Sequence, residues 1–115
     1  MTQEEYYNLL SSKTETTFGK QIRIWRVLCN LTQEEFANHL LLSSRNRVWK
    51  IEKAINGEEI EYDLLFRLFF YFSSLKDMDF EGYHNHLVNE ILFSIRDAIH
   101  KKIESQGFQK TKKHE

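Results

Sequence analysis

Within two helical turns, the segment SSRNRVWKIE holds Arg45, Asn46, Arg47 and Lys50, a set of donors that suits nucleic acid. Guanidinium and ammonium groups donate to guanine O6 and N7, a carboxamide pairs both ways with adenine N6 and N7, and all of these also contact phosphate. Read without their neighbours, the same residues would be no more than a solvated helix face. Other chemistry has less support. His84, His86 and Glu90 are possible metal ligands, yet only His86 and Glu90 stand four apart on one helical face, and a closed site needs more convergent groups, so no metal or cofactor is expected. Cys29 is the single cysteine, which leaves neither a disulfide nor a thiolate zinc site within the chain; an inert, part-buried thiol is expected. The sequence has no G-x-S-x-G, no phosphate-binding glycine loop and no H-E-x-x-H, and the carboxylates of Glu58 and Glu59 lie in a loop, so an enzyme is not expected.

A base-reading set needs a rigid element beneath it, and the sequence supplies one. Thr17 can cap a helix FGKQIRIWRVLCN in which Phe18, Ile22 and Trp25 share a face, with Asn30 as its stop. Thr32 and Glu35 form a capping box that opens TQEEFANHL, with Phe36, Ala37 and Leu40 inward. Ser43 or Ser44 caps RNRVWKIEKAI, where Val48 and Ile51 face inward and Asn56-Gly57 closes the helix. Two short helices joined by a few residues and preceded by a basic helix have the form of a helix-turn-helix. Beyond them, EYDLLFRLFFYFSSL is apolar nearly all round, which predicts a central core helix; Phe66, Phe69, Phe70, Tyr71 and Phe72 exceed one buried stripe, so some are expected at an interface. From Phe80 to about Ile103, Tyr83, Leu87, Ile91, Ile95 and Ile99 recur four apart, widened by Val88 and Leu92. That spacing predicts one long amphipathic helix.

FGKQIRIWR, LTQEEFANHL and VWKIEKAINGEEIEYDLLFRLFFYF together resemble the helix-turn-helix domain of the Cro/CI, or XRE, family of bacterial and phage regulators, over Phe18 to about Leu75. The resemblance rests on I-R-x-x-R (Ile22, Arg23, Arg26), on L-T-Q-E-E-x-A (Leu31 to Ala37) and on the Ile51-Glu52 pair. Within the family the break from Ser44 to Glu52 is most similar to the N-terminal domain of Rgg/MutR-type regulators. The resemblance implies a lambda-repressor-like fold and binding to double-stranded DNA. It implies that Gln33 contacts a phosphate, that Arg45, Asn46 and Lys50 reach base edges with Ser44 and Arg47 nearer the backbone, and that Arg26 and Glu52 form a structural pair. It further implies a core built from Trp25, Leu31, Phe36, Ala37, Leu40, Val48, Ile51, Leu64, Leu65 and Leu68. The sequence departs from the family pattern in three ways, the first including a stretch from Leu40 to Val48 one residue longer than usual. Leu41 replaces the usual turn glycine, Trp49 replaces a small polar residue and either packs aside or lies on the sugar-phosphate surface, and Glu58, Glu59 and Glu61 sit where relatives often touch phosphate.

The 115 residues fit one domain with an appended helix, and 41% hydrophobic with 29% charged residues excludes pervasive disorder. With four glycines and no proline, the turn chemistry of β-hairpins is missing and an all-α fold of five or six helices is expected. We divide the chain into a short N-terminal helix and extension (1–16), the helix-turn-helix domain (17–76), a dimerisation helix (77–106) and a basic, disordered tail (107–115). Charge is segmented: seven Lys/Arg face three Asp/Glu over residues 18–53, against three and nine over 54–100. The N-terminus lacks a secretory pattern and no run approaches the ~20 apolar residues of a membrane span, so a cytoplasmic location is expected. Rgg-type proteins carry a large peptide-binding domain that 115 residues do not hold, so a peptide receptor is not expected. The reading is therefore a homodimeric transcriptional regulator, a repressor in the simplest mechanism, that binds a palindromic operator and pairs through Tyr83, Leu87, Ile91, Ile95 and Ile99. The alternative is a protein-interaction module, an antitoxin or truncated regulator that binds a second protein partner through its aromatic and C-terminal helices.

Overall fold

Five α-helices and no strand make up the residues described by the computed structural model, 16–76 and 83–105, with the backbone alone described for Tyr83 and His84. The expected N-terminal helix and the basic tail lie outside these residues. Helix α1 (Phe18–Leu28) starts where the Lys20 N–H donates to Thr17 Oγ1 at 3.2 Å. It stops before Asn30, whose φ of 57° is a left-handed conformation that asparagine tolerates better than most residues. Helix α2 (Gln33–His39) has the full capping box: Glu35 N–H donates to Thr32 Oγ1 at 3.1 Å and Thr32 N–H to Glu35 Oε1 at 2.9 Å. These bonds hold the exposed Glu35 carboxyl below the usual carboxylate range. Helices α3 (Arg45–Lys53), α4 (Tyr62–Lys76) and α5 (Tyr83–Ile103) follow, with a 3-10 turn at Gly57–Glu59.

Helix α3 ends at Lys53, before the Asn56-Gly57 stop expected from the sequence. The reason lies in α1, whose first N–H groups have no partner within their own helix. Phe18 N–H donates to the Ile55 carbonyl at 3.2 Å and Gly19 N–H to that of Ala54 at 2.9 Å, so the chain leaves α3 early to close the start of α1. Gly19 is required there by close approach, since a Cβ would land on the carbonyls of Ile51 and Glu52.

The centre is aromatic. Trp25 of α1, Phe36 of α2 and Phe72 of α4 are each at most 2% exposed, and Trp25 and Phe72 meet edge-on with ring centroids 5.0 Å apart. Ile22, Val48, Ile51, Leu65 and Leu68 close the space between α1, α3 and α4 without leaving any surface in water. Of the core implied by the family resemblance, only Leu31 is half-buried rather than buried.

Helix α5 corrects an expectation. Leu87, Ile91 and Ile95 are at most 1% exposed within the single chain, and Ile99 packs half-buried against the same core, so this stripe is not free to pair with a second copy. The side chain of Tyr83 lies outside the described residues. The stripe packs on α4, on α1 and on the 3-10 turn. Ser94 Oγ donates to Gln21 Oε1 at 3.0 Å, and Lys102 Nζ donates to the Glu58 carbonyl at 3.2 Å. Burying one Leu or Ile side chain contributes about 1.5–3 kcal/mol, so an apolar stripe this long closes on the nearest apolar surface, which is its own chain. The expected boundary near residue 76 therefore does not separate two cores. Among the described residues, exposed apolar side chains lie at several places, Leu41, Ile55 and Phe93 among them, and two stand one turn apart on α4, opposite its buried side: Phe66 is 44% and Phe70 69% exposed. No described helix is long and apolar enough to cross a membrane.

Candidate nucleic-acid interface

The turn between α2 and α3 fixes how α3 is presented. Leu41 takes φ of 59° and is 82% exposed, while Leu42 folds under, donating its N–H to the Ala37 carbonyl at 2.8 Å. The backbone thus keeps a conformation suited to glycine although leucine occupies it, at a cost of about 1 kcal/mol. Arg67 of α4 supports the bend from outside, with Nη1 donating to the Leu40 and Leu41 carbonyls at 3.0 Å each. Sequence reading missed that role; its only trace is one arginine within an otherwise apolar helix.

Ser44 Oγ caps α3 by accepting the Asn46 N–H at 3.0 Å. Beneath the helix, Val48 and Ile51 are fully buried, and its far end is tied to α1 through Glu52. Arg26 reaches Glu52 in a bidentate pair, Nε to Oε2 at 2.5 Å and Nη2 to Oε1 at 3.2 Å, and its Nη1 donates to the Leu31 carbonyl at 2.7 Å. One guanidinium thereby holds the start of α2 and the end of α3 on α1 together. With side-chain exposures of 12% and 5%, this pair is shielded from solvent, where such geometry matters most.

Gln33 joins that network, its Nε2 donating to Glu52 Oε1 at 3.1 Å. It lies at one edge of an open groove of about 700 Å³ whose other lining residues are Arg45, Asn46, Trp49 and Lys50. Four of the residues expected to touch DNA are thus brought to one surface. Among the described residues, the side chains of Arg45, Asn46 and Lys50 have no hydrogen-bond or ion-pair partner. Arg45 and Asn46 also border a second groove, of about 430 Å³, with Glu34, Asn38, Ser43 and Ser44.

Arg47 is turned away from both grooves and toward α4. Its Nη2 lies 3.0 Å from Asp63 Oδ2 and 3.4 Å from Glu61 Oε2, and the guanidinium holds the Asp63 carboxyl below its usual range. A backbone contact by Arg47 would compete with two carboxylates, and the same pairing offsets Glu61, one of the acids expected to repel phosphate.

Trp49, which the sequence reading had either packing aside or lying on the sugar-phosphate surface, lines the groove instead of packing into the core. It is 50% exposed, and Lys53 Nζ sits 4.6 Å from the centre of its ring. Its position four residues after Arg45 and three after Asn46 was a readable signal, because those spacings share one helical face.

The remaining chemistry lies elsewhere. Burial pushes the Cys29 thiol up to about 11, so it is protonated at neutral pH. His86 Nε2 pairs with Glu90 Oε1 at 3.2 Å on the surface of α5, and no group of three or more His, Cys, Asp or Glu side chains converges among the described residues. Comparison of the chain with family models, curated proteins and solved structures gives no match.

Proposed function

We propose that the chain is a sequence-specific DNA-binding regulator of transcription, similar to XRE-type regulators, that represses by occupying a palindromic operator as a homodimer in the cytoplasm. One observation carries the reading: Arg45, Asn46 and Lys50, without a side-chain partner among the described residues, project from one face of a helix whose other face is fixed by Val48, Ile51 and the Arg26–Glu52 pair. Base reading needs donors that are free before binding and held at fixed positions, because each good bidentate contact discriminates by about 1–3 kcal/mol only when its geometry is set in advance. Gln33 and Ser44, at the starts of α2 and α3, border the grooves where the sugar-phosphate chain would run.

For the homodimer, the outward face of α4 replaces the α5 stripe as the contact. Phe66 and Phe70 are exposed there, with the acids Glu59, Glu61 and Asp63 near its start and Lys76 at its end. Two copies crossing antiparallel stack the phenyl rings and bring each Lys76 toward the other's acids. The same aromatic face supports the second reading, a module that binds a different protein.

Selection of sites from a random duplex library tests the proposal. An inverted repeat with half-sites about one helical turn apart and a steep salt dependence is expected. Arg45→Ala with Lys50→Ala then lowers affinity roughly 30-fold or more, since two contacts are removed. Absence of enrichment discards the regulator and leaves the protein-binding module. Sedimentation at micromolar concentration is expected to give twice the chain mass, and Phe66→Ser with Phe70→Ser to give one; a wild-type monomer removes the homodimer.

A further inference from the structure

We propose that Trp49 is a specificity-determining residue that contacts the C5-methyl group of a thymine in the major groove; the inference rests on the DNA-binding reading above. The indole does not serve the core, because Val48 and Ile51 already close that side of α3 with no exposed surface. It does not pack aside either, being half exposed and lining the same groove as Gln33, Arg45, Asn46 and Lys50. An exposed indole among four polar side chains contributes little to folding. It does give the groove one apolar surface.

Which part of the duplex it meets follows from its position on the helix. Arg47, on one flank of α3, turns to α4, and Ser44 caps the helix start, so neither lines the groove that holds Trp49. Trp49 lies on the outward face, between Arg45 and Asn46 around the helix and in the same groove, beside the side chains that would meet base edges. In the major groove the thymine methyl is the apolar feature of a base pair, and it lies beside the adenine N6 and N7 that a carboxamide reads. Asn46 and Trp49 together are therefore suited to an A·T pair or to two adjacent ones. Lys53, 4.6 Å from the ring centre, covers one face of the indole with positive charge and leaves the other face and the ring edge for the base.

The test uses the site selected by the wild-type chain, with each thymine replaced in turn by uracil, which removes the methyl group and no hydrogen-bonding atom. At one or two positions per half-site we expect about a threefold to tenfold loss of affinity for the wild type and no loss for Trp49→Ala, whose helical spectrum should be unchanged. If Trp49→Ala binds weakly but remains as sensitive to uracil as the wild type, the indole lies on the sugar-phosphate chain and the inference is overturned. Insensitivity of the wild type to every replacement also overturns it, and leaves the regulator reading in place. Failure to select any site removes both.

Discussion

Helices α3 and α5 are both amphipathic in sequence, and both carry a face to which partner binding could be assigned. The folded chain treats them oppositely. The polar face of α3 remains open, with Arg45, Asn46 and Lys50 unpaired among the described residues, while the apolar face of α5 is buried in the core through Leu87, Ile91 and Ile95. The asymmetry is physical. Apolar contact is non-directional, so a stripe closes on whichever apolar surface is nearest. A row of donors is satisfied only by acceptors at matching positions, and water meets that need until a partner with the right geometry arrives. Exposed polar faces are therefore informative about binding in a way that apolar stripes are not. The aromatic face of α4 follows the same logic: Phe66 and Phe70 are exposed because the opposite side of that helix already packs through Leu64, Leu65, Leu68 and Phe72.

The contrast breaks most visibly at the centre of the α5 stripe. Ile95→Asp places a carboxylate where the native side chain is fully buried, and a loss of more than about 4 kcal/mol of folding stability is expected in urea titration. A stably folded variant altered only in its association would return the stripe to an intermolecular role.

A smaller effect is expected where α3 is attached. Arg26→Ala leaves Glu52 shielded without its cation and the Leu31 carbonyl without a donor, at a cost of about 3 kcal/mol. Because α3 is held through this pair, DNA affinity should fall at temperatures where the variant is still folded; retention of full affinity there would show that α3 is positioned by Val48 and Ile51 alone.

The smallest effect on stability is expected from the outward face itself. Arg45→Ala with Lys50→Ala should change unfolding by less than about 0.5 kcal/mol, as for other unpaired surface side chains. A larger loss would mean that these donors serve the fold, and would weaken the comparison from the α3 side.

Much of the fold was legible because it depends on neighbours along the chain. Thr17, Thr32 and Ser44 cap the helices they precede, and the inward periodicity of α1 and α3 matches the buried residues. That Arg45, Asn46 and Lys50 share one surface was legible because polar donors at helical spacing make a local signal. Arg47 belongs to the same run and was grouped with them, yet it turns to Asp63 and Glu61, residues that lie beyond the next loop. Arg67 beneath the turn was passed over, and Trp49 was left between two placements, for a related reason: what each does depends on carbonyls or side chains brought to it by packing.

By itself, then, the sequence determined α1, α2 and α3, their capped starts and their inward sides, since hydrogen bonds within four residues and a period of 3.6 are properties of a local stretch. Tertiary structure alone decided where α3 stops, which cation of its basic run is paired, and which apolar side chains stay exposed. Each of those outcomes is a competition between surfaces distant in sequence. Gly19 meeting the end of α3, Asp63 reaching Arg47 and α5 covering the core were settled by proximity in the folded chain.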